Sequence, residues 1–229
     1  MKKVEIMKPT SYSNVKKLAW LPDIIRDPLF LMRNNHRLAK QRRALKKILR
    51  KQAEKKIIVG SAATKQERWI STDYPLLDLT DARTFSALFN AGSASNFFAE
   101  HVWEHLSLEE GARACRNCFA FLKQGGRLRI AVPDGFHPDA DYIAQVKPGG
   151  YGPGADDHKV LYNYRTLSAM LEKAGFKTRL LEWFDEQGKF HHEEWDAEDG
   201  FVMRSTRFDQ RNKDNHTAYT SLIIDASKP

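Results

Sequence analysis

The sequence predicts an α/β protein with a mostly parallel sheet, on three observations within residues 97–134. An apolar strand at residues 96–99 precedes a helix that begins at a capping box, since Ser107 stands three residues before Glu110. A double glycine then separates this helix from an apolar run at residues 128–132. A short apolar strand directly after a helix is typical of a parallel sheet that is buried on both faces.

The other predicted elements alternate in the same way along the chain. The short apolar segments that predict strands are residues 56–60, 69–73, 178–183 and 221–226. The segments that predict helices are residues 36–56, 84–89 and 164–174. Residues 133–160 are rich in turn residues, and so long a loop in a compact domain is usually functional or mobile. We therefore expect one domain at residues 56–229, preceded by a basic, partly helical extension at residues 1–55.

Positive charge is concentrated in this extension. Residues 1–56 contain 17 Lys or Arg and 4 Asp or Glu, whereas the rest of the chain contains 20 basic and 25 acidic residues. The net charge of +8 therefore belongs to the extension, and the acidic domain disfavours a large nucleic-acid footprint. Three interpretations stay open for the basic helix at residues 36–56. It can pack on the domain, bind an anionic membrane surface or, least favoured, contact nucleic acid.

Cysteine content and hydropathy indicate in which cellular compartment the protein is expected. Cys115 and Cys118 lie three residues apart on one predicted helix, which argues against a disulfide framework and for a reducing compartment. No stretch approaches the roughly 18 apolar residues of a spanning helix, and the basic N-terminus lacks the apolar core of a signal peptide. These features predict a cytoplasmic protein, with peripheral membrane attachment through the basic helix as an option.

Five segments mark a resemblance to a known family. They are KIIVGSAA from Lys56, WISTD from Trp69, EHVWEHL from Glu100, FLKQGGRLRIAVPD from Phe121 and LSAMLEKAGF from Leu167. In this order and spacing, over roughly residues 56–228, they resemble the class I (Rossmann-like) S-adenosylmethionine-dependent methyltransferases. The resemblance implies a seven-stranded sheet in the order 3-2-1-4-5-7-6, with strand seven antiparallel and helices on both faces. It also implies S-adenosylmethionine (SAM) as the cofactor.

The resemblance places cofactor-binding residues at the ends of the strands. The turn after the first strand keeps one glycine, Gly60, where the family usually has Gly-x-Gly-x-Gly, so that the backbone can approach the cofactor. Asp73 would accept hydrogen bonds from both ribose hydroxyls. Asp78 would accept one from the adenine amino group while Leu79 packs on the ring. The full set implied is Gly60, Ser61, Ala62, Asp73, Asp78, Leu79, Glu100, His101 and Val102, the last three being near the sulfonium and its methyl group.

Candidate catalytic and substrate-binding residues follow from side-chain chemistry at the predicted mouth of the site. A neutral histidine can take a proton from an attacking hydroxyl or amine, so His101 and His137 are the catalytic candidates. The candidates for substrate binding are Asp134, His158, Arg204 and Arg207, the arginines as a clamp for an anionic group. The His and Asp spacings on this rim match no standard ligand pattern, so no metal site is predicted.

The leading prediction is methyl transfer from SAM to a small polar or carbohydrate-like acceptor. Two alternatives stay open. The missing glycines at Ser61, Ala62 and Thr64 favour a non-catalytic binding or scaffold protein that retains the fold, and the basic helix favours an RNA-modifying methyltransferase. A nicotinamide or nucleotide-sugar enzyme is disfavoured because the chain lacks Gly-x-Gly-x-x-Gly.

Overall fold

The computed structural model describes residues 28–62, 64–212 and 219–229, with side chains from residue 34 onward. Its helices are α1 (Pro28–Leu49), α2 (Ala82–Leu88), α3 (Leu108–Phe121), α4 (Ala140–Val146) and α5 (Tyr164–Lys173). Its strands are β1 (Lys56–Ile58), β2 (Ile70–Ser71), β3 (Ala94–Glu100), β4 (Leu122–Pro133), β5 (Lys177–Phe184), β6 (Phe190–His192) and β7 (Ser221–Ser227). The first part of the predicted extension and Ala63 of the predicted glycine turn lie outside the described residues.

The strands form one seven-stranded sheet in the order β2-β1-β3-β4-β7-β5-β6. β2, β1, β3 and β4 pair in parallel. β7 lies antiparallel between β4 and β5, and β6 pairs antiparallel with β5. Five strands, β5 included, therefore run in the same direction, which confirms the predicted α/β fold with a mostly parallel sheet.

The two edges of this sheet differ from the implied order 3-2-1-4-5-7-6. Six strands correspond to strands of that order. The strands numbered 1, 2, 4, 5, 6 and 7 there are β1, β2, β3, β4, β5 and β7 here. Within the described residues no strand lies beyond β2. The segment there folds as a turn, in which Asp78 Oδ1 accepts hydrogen bonds from the N–H and the hydroxyl of Thr80, both at 2.8 Å. At the opposite edge, β6 adds a strand through a hairpin with β5.

One face of the sheet is covered by helices. Ile57, Phe97 and Leu128 belong to a large core that apolar residues of α2, α3 and α5 complete. α3 begins at the predicted capping box. The hydroxyl of Ser107 accepts from the N–H of Glu110 at 3.2 Å, and the Glu110 carboxylate accepts from the N–H of Ser107 at 2.9 Å. The capping box predicted from the sequence therefore begins a helix that packs on this face of the sheet.

The opposite face is covered by an irregular segment and not by the second helical layer that the resemblance implies. Ile58, Phe98 and Ile223 pack there against Trp195 and Val202, in a cluster without an α-helical member among the described residues.

A buried arginine anchors this segment to the sheet. Arg129 of β4 forms a two-point ion pair with Asp225 of β7, at 2.7 and 2.9 Å. It also donates to the carbonyl oxygens of Asp196 and Gly200, at 2.7 and 2.8 Å, and lies 4.9 Å over the ring of Trp195. The two bonds to carbonyl oxygens hold the segment on the sheet, and loss of either partner of the ion pair would leave a buried charge uncompensated.

α1 packs on the domain along one side. Leu49 is 1% exposed and Leu45 contacts the large core. The Arg42 guanidinium donates to the carbonyl oxygens of Pro75 and Leu76, at 2.6 and 3.0 Å. These contacts favour the first interpretation of the basic helix. The exposed basic residues on its other side are Arg37, Lys40, Arg43 and Lys47. Among the described helices, none has the length and apolar content required to cross a membrane.

Candidate nucleotide-binding site

A cavity of about 230 Å³ lies at the carboxyl ends of β1, β2 and β3. The chain runs from β1 outward to β2 and then returns to β3 on the other side of β1, so the strand order reverses here. Open α/β sheets bind ligands at this point. The residues that line the cavity are Gly60, Ala62, Asp73, Tyr74, Leu77, Asp78, Leu79, His101, Val102, His105, Leu106 and Gly154. The fold thus brings together seven of the nine residues that the resemblance assigns to the cofactor.

The turn after β1 lines the cavity and lies close against Val102. Gly60 has a φ of +59°, and a Cβ atom there would lie 2.6 Å from Val102 Cγ2, so only glycine fits. The N–H of Ala62 donates to Asp73 Oδ2 at 3.0 Å, and the N–H of Tyr74 donates to Asp73 Oδ1 at 2.9 Å. Asp73 therefore holds the turn against the end of β2, with acceptor capacity left on both oxygens. Burial raises the pKa of Asp73, against the opposing effect of these two N–H groups.

One wall of the cavity combines apolar side chains with a carboxylate. Leu77 and Leu79 are largely buried, and the carbonyl oxygen of Leu79 accepts from Asn117 Nδ2 at 2.8 Å. Asp78 stands between them on the same loop, whose start is held by Arg42 of α1. An apolar surface beside a carboxylate suits a flat heterocycle that carries an amino group.

His101 combines a left-handed backbone with an enclosed ring. Its φ of +55° is rare for a residue other than glycine, and such backbone strain recurs at functional sites. Nε2 lies 3.0 Å from Ser221 Oγ, and Nδ1 lies 3.0 Å from Glu104 Oε1. Burial lowers the pKa of His101 well below its ordinary value, and the positive charge of Arg204 lowers it further. The ring is therefore neutral at neutral pH and held on both sides.

No family model and no curated protein matches this chain. Solved structures match it at low identity. A SAM-dependent methyltransferase of Thermotoga maritima, described as a possible histamine N-methyltransferase, is 10% identical, with a TM-score of 0.45 over 88% of this chain and 96% of that one. A SAM-dependent methyltransferase of Archaeoglobus fulgidus is 15% identical, with a TM-score of 0.41 over 87% and 98%. The CurJ carbon methyltransferase is 12% identical, with a TM-score of 0.43 over 83% and 54%. At TM-scores below 0.5 these likenesses carry no conclusion about activity, and the site rests on its own geometry.

Two of the predicted cofactor residues support the backbone beside the cavity and do not line it. Ser61 is buried, and its N–H donates to the carbonyl oxygen of Thr72 at 3.0 Å. Glu100 Oε1 accepts from the N–H of Arg204 at 2.8 Å. Both residues therefore connect the carboxyl ends of the strands to neighbouring segments.

The second catalytic candidate, His137, lies in an aromatic cluster away from the cavity. Its ring stacks on Tyr142 with centroids 3.9 Å apart and meets Phe184 at 4.6 Å. A chain of ring contacts leads from Tyr142 through Tyr219 to His101. The fold therefore separates His137 from His101 by two tyrosine rings, and only His101 lines the cavity.

Asp134 forms a buried tie between three segments. Its Oδ1 accepts from the N–H of Phe136 at 2.9 Å, and its Oδ2 accepts from the N–H of Phe184 at 2.8 Å. The side chain is inaccessible and does not line the cavity. Burial raises the pKa of Asp134 from 3.8 to about 6, against the effect of the two N–H donors.

We expect Asp134 to make the protein less stable as the pH rises from about 4 to about 6. A carboxyl group whose pKa is higher in the folded state stabilises that state at low pH, and this contribution is lost as the pH rises through about 6. A gap of about two pKa units corresponds to roughly 3 kcal/mol. The free energy of unfolding in urea, compared between wild type and Asp134→Asn, should show most of this change between about pH 4 and pH 7. A difference between the two proteins that stays constant over this range would contradict the assignment.

The remaining substrate candidates are Arg204, Arg207 and His158, and none of them lines the first cavity. Arg204 is exposed, and its charge acts on His101. Arg207 lies 4.8 Å over the ring of Phe208 and lines a second cavity, of about 560 Å³, on the other face of the sheet. The arginines of that cavity include Arg127 and Arg129, which are ion-paired. His158 lies beside the first cavity, against the ring of His105 at 4.8 Å between centroids.

Sequence reasoning misses five of the cavity residues. Tyr74 and Leu77 carry a signal, because they stand between two predicted ligand-binding residues. Gly154 carries none, because its position depends on the N–H of Lys159, which donates to the carbonyl oxygen of Glu104 at 2.7 Å and so fixes the turn-rich loop. The missed residues are Tyr74, Leu77, His105, Leu106 and Gly154.

Proposed function

We propose that this protein is an enzyme that transfers a methyl group from SAM to a small polar or carbohydrate-like acceptor. The observation that carries the proposal is the cavity at the reversal of strand order, where Gly60, Asp73 and Leu79 meet. A nucleoside needs a carboxylate for its ribose and an apolar wall for its base. It also needs a glycine turn beside which its 5′ substituent can pass. These three residues supply those features in one place.

The described residues fit the nucleoside part of SAM. Gly60 and Asp73 both line the cavity, at the carboxyl ends of β1 and β2. Asp73 would accept from the two ribose hydroxyls, since each of its oxygens uses one lone pair for the N–H of Ala62 or Tyr74. Asp78 would accept from the base. When bound, SAM supplies an electrophilic methyl group on a sulfonium, so positioning by these residues is the main task of the protein.

The acceptor would approach from the histidine side of the cavity. His101 and His105 line this side, and His158 stands behind them. Imidazole nitrogens donate to or accept from hydroxyl and amino groups, which suits a small polar acceptor. His101 is the residue placed to receive a proton from the acceptor, and Ser221 orients its ring.

A second candidate is a SAM-binding protein without catalytic activity. It is favoured by the enclosed ring of His101, both of whose nitrogens already lie 3.0 Å from Ser221 or Glu104. In that case the same cavity would bind the nucleoside, but no group would be free to receive a proton.

Calorimetric titration of the full chain with SAM tests both candidates. We expect one saturable site with a dissociation constant below about 1 mM. Transfer of label from methyl-labelled SAM to members of a panel of small alcohols, amines and sugars would separate the enzyme from the binding protein. Absence of any binding at millimolar SAM would reject both.

A further inference from the structure

We infer that Glu104, His105 and His158 form a binding site for a divalent transition-metal ion, with Zn²⁺ as the best match. One ligand atom from each of the three residues lies within 4.8 Å of the others. Glu104 and His105 are neighbours in one helical turn after β3, whereas His158 comes from the turn-rich loop. The N–H groups of Lys159 and Val160 donate to the carbonyl oxygen of Glu104, at 2.7 and 3.2 Å. The backbone therefore fixes His158 beside Glu104.

Several buried polar atoms in this cluster lack hydrogen bonds. The Glu104 side chain is 1% exposed, and neither carboxylate oxygen has a hydrogen-bond partner among the described residues. The same holds within the described part of the chain for His105 Nδ1 and Asp157 Oδ2. His101 Nδ1 lies 3.0 Å from Glu104 Oε1, without hydrogen-bond geometry. Buried polar groups normally have partners, so the two oxygens of Glu104 indicate a bound ion or water.

The two histidine rings are oriented as metal ligands are. His158 Nδ1 lies 2.6 Å from the carbonyl oxygen of Val146. Because a carbonyl only accepts, Nδ1 carries the proton and Nε2 keeps its lone pair. His105 Nδ1 faces Asp157 Oδ2 at 3.4 Å, which favours the same tautomer. Histidines that bind metals usually donate their other N–H to a carbonyl or a carboxylate. His158 has such a partner, and His105 Nδ1 has a carboxylate oxygen 3.4 Å away, without a hydrogen bond between them.

The ligand types select the class of metal. Two imidazoles and one carboxylate suit Zn²⁺ and its neighbours in the first transition row, whereas Mg²⁺ and Ca²⁺ prefer oxygen alone. Three protein ligands leave a coordination position open, as in catalytic zinc sites. His105 also lines the cavity. A role for the ion in catalysis rests on the proposed methyl transfer. In that reaction the ion would bind the oxygen of the acceptor and lower the pKa of the acceptor hydroxyl group.

The inferred site differs from the sequence prediction, which has no metal site. That prediction considered only the spacings on the rim, where the ligand types were those of Asp134, His137, Asp156, Asp157 and His158. The fold leaves Asp134 and His137 elsewhere and places His158 against Glu104 and His105 instead. No spacing in the sequence signals this, because the contact depends on how the loop folds back on the turn after β3.

Titration of the tag-free full chain with ZnCl₂, in the absence of SAM, tests the site. We expect one equivalent to bind, and Glu104→Gln and His158→Gln each to weaken binding by at least about 100-fold, since each removes a ligand. His192→Gln is the matched control, because His192 is an exposed histidine on β6. It should leave the affinity unchanged. Zn²⁺ should also raise the melting temperature of the wild type, by mass action, and not that of His158→Gln.

A milder variant keeps the test decisive if Glu104→Gln fails to fold. Asp157→Asn removes only the carboxylate that faces His105 Nδ1, and should weaken Zn²⁺ binding by roughly 10- to 100-fold. Absence of saturable binding, or binding that survives His158→Gln, would overturn the inference and leave a buried water as the partner of these atoms. The result is separate from the SAM titration, since neither measurement uses the other ligand.

Discussion

Gly60→Ala should reduce the affinity for SAM by at least about 100-fold, or roughly 3 kcal/mol. The new methyl group would lie 2.6 Å from Val102 Cγ2, at a φ of +59° that L side chains rarely adopt. Either Val102 or the turn must move, and both line the cavity. Overpacking of this kind costs about 1–3 kcal/mol in addition to the backbone strain. Calorimetric titration with SAM, on protein that circular dichroism shows to be folded, measures the effect.

Gly92→Ala is the matched control for this variant. Gly92 has a φ of +66°, and a Cβ atom there would meet nothing within 4 Å. The control therefore imposes the same backbone strain, about 1–2 kcal/mol, away from the cavity. It should lower stability without changing the affinity for SAM. Addition of Val102→Ala to Gly60→Ala should restore part of the affinity, as a double-mutant cycle. A Gly60→Ala variant that binds SAM as the wild type does would place the ligand elsewhere.

The centre of the sheet could be predicted because its signals are local. The capping box of Ser107 and Glu110 and the apolar residues of β3 and β4 act within a few positions of one another. The edges and the second face depend on distant contacts. Arg129 holds the covering segment through the carbonyl oxygens of Asp196 and Gly200, which lie 67 and 71 positions further along the chain. No periodicity within the segment indicates those contacts, and the helix layer that the resemblance implied is replaced by an irregular one.

The same contrast between local signals and distant contacts explains which site residues could be predicted. Gly60, Asp73 and His101 could be brought together from sequence, because the carboxyl ends of parallel strands meet at one edge. His137 and Asp134 follow β4, and their side chains turn to an aromatic cluster and to backbone N–H groups. Residue type and position at a strand end predict proximity to a site. The direction of a loop side chain is set by partners that the sequence does not identify.

Asp73→Ala should likewise weaken SAM binding by about 100-fold. Hydrogen bonds to a charged acceptor contribute about 1.5–3 kcal/mol each, and the carboxylate would accept from two ribose hydroxyls. The variant also releases the N–H groups of Ala62 and Tyr74, so a modest loss of stability is expected. Titration with S-adenosylhomocysteine and with its 2′-deoxy analogue separates the two effects. The wild type should prefer the hydroxylated ligand, and Asp73→Ala should bind both alike.

Asp81→Ala controls for the loss of a carboxylate that holds backbone N–H groups. Asp81 caps α2 and accepts from the N–H of Arg83 at 2.9 Å, but it does not line the cavity. Its removal should cost about 1 kcal/mol of stability and leave the affinity for SAM unchanged. If Asp73→Ala still distinguished the 2′-hydroxyl, another group would bind the ribose, and the nucleoside would lie in the cavity in a different orientation. If Asp73→Ala bound SAM as the wild type does, the carboxyl end of β2 would not be the ribose site.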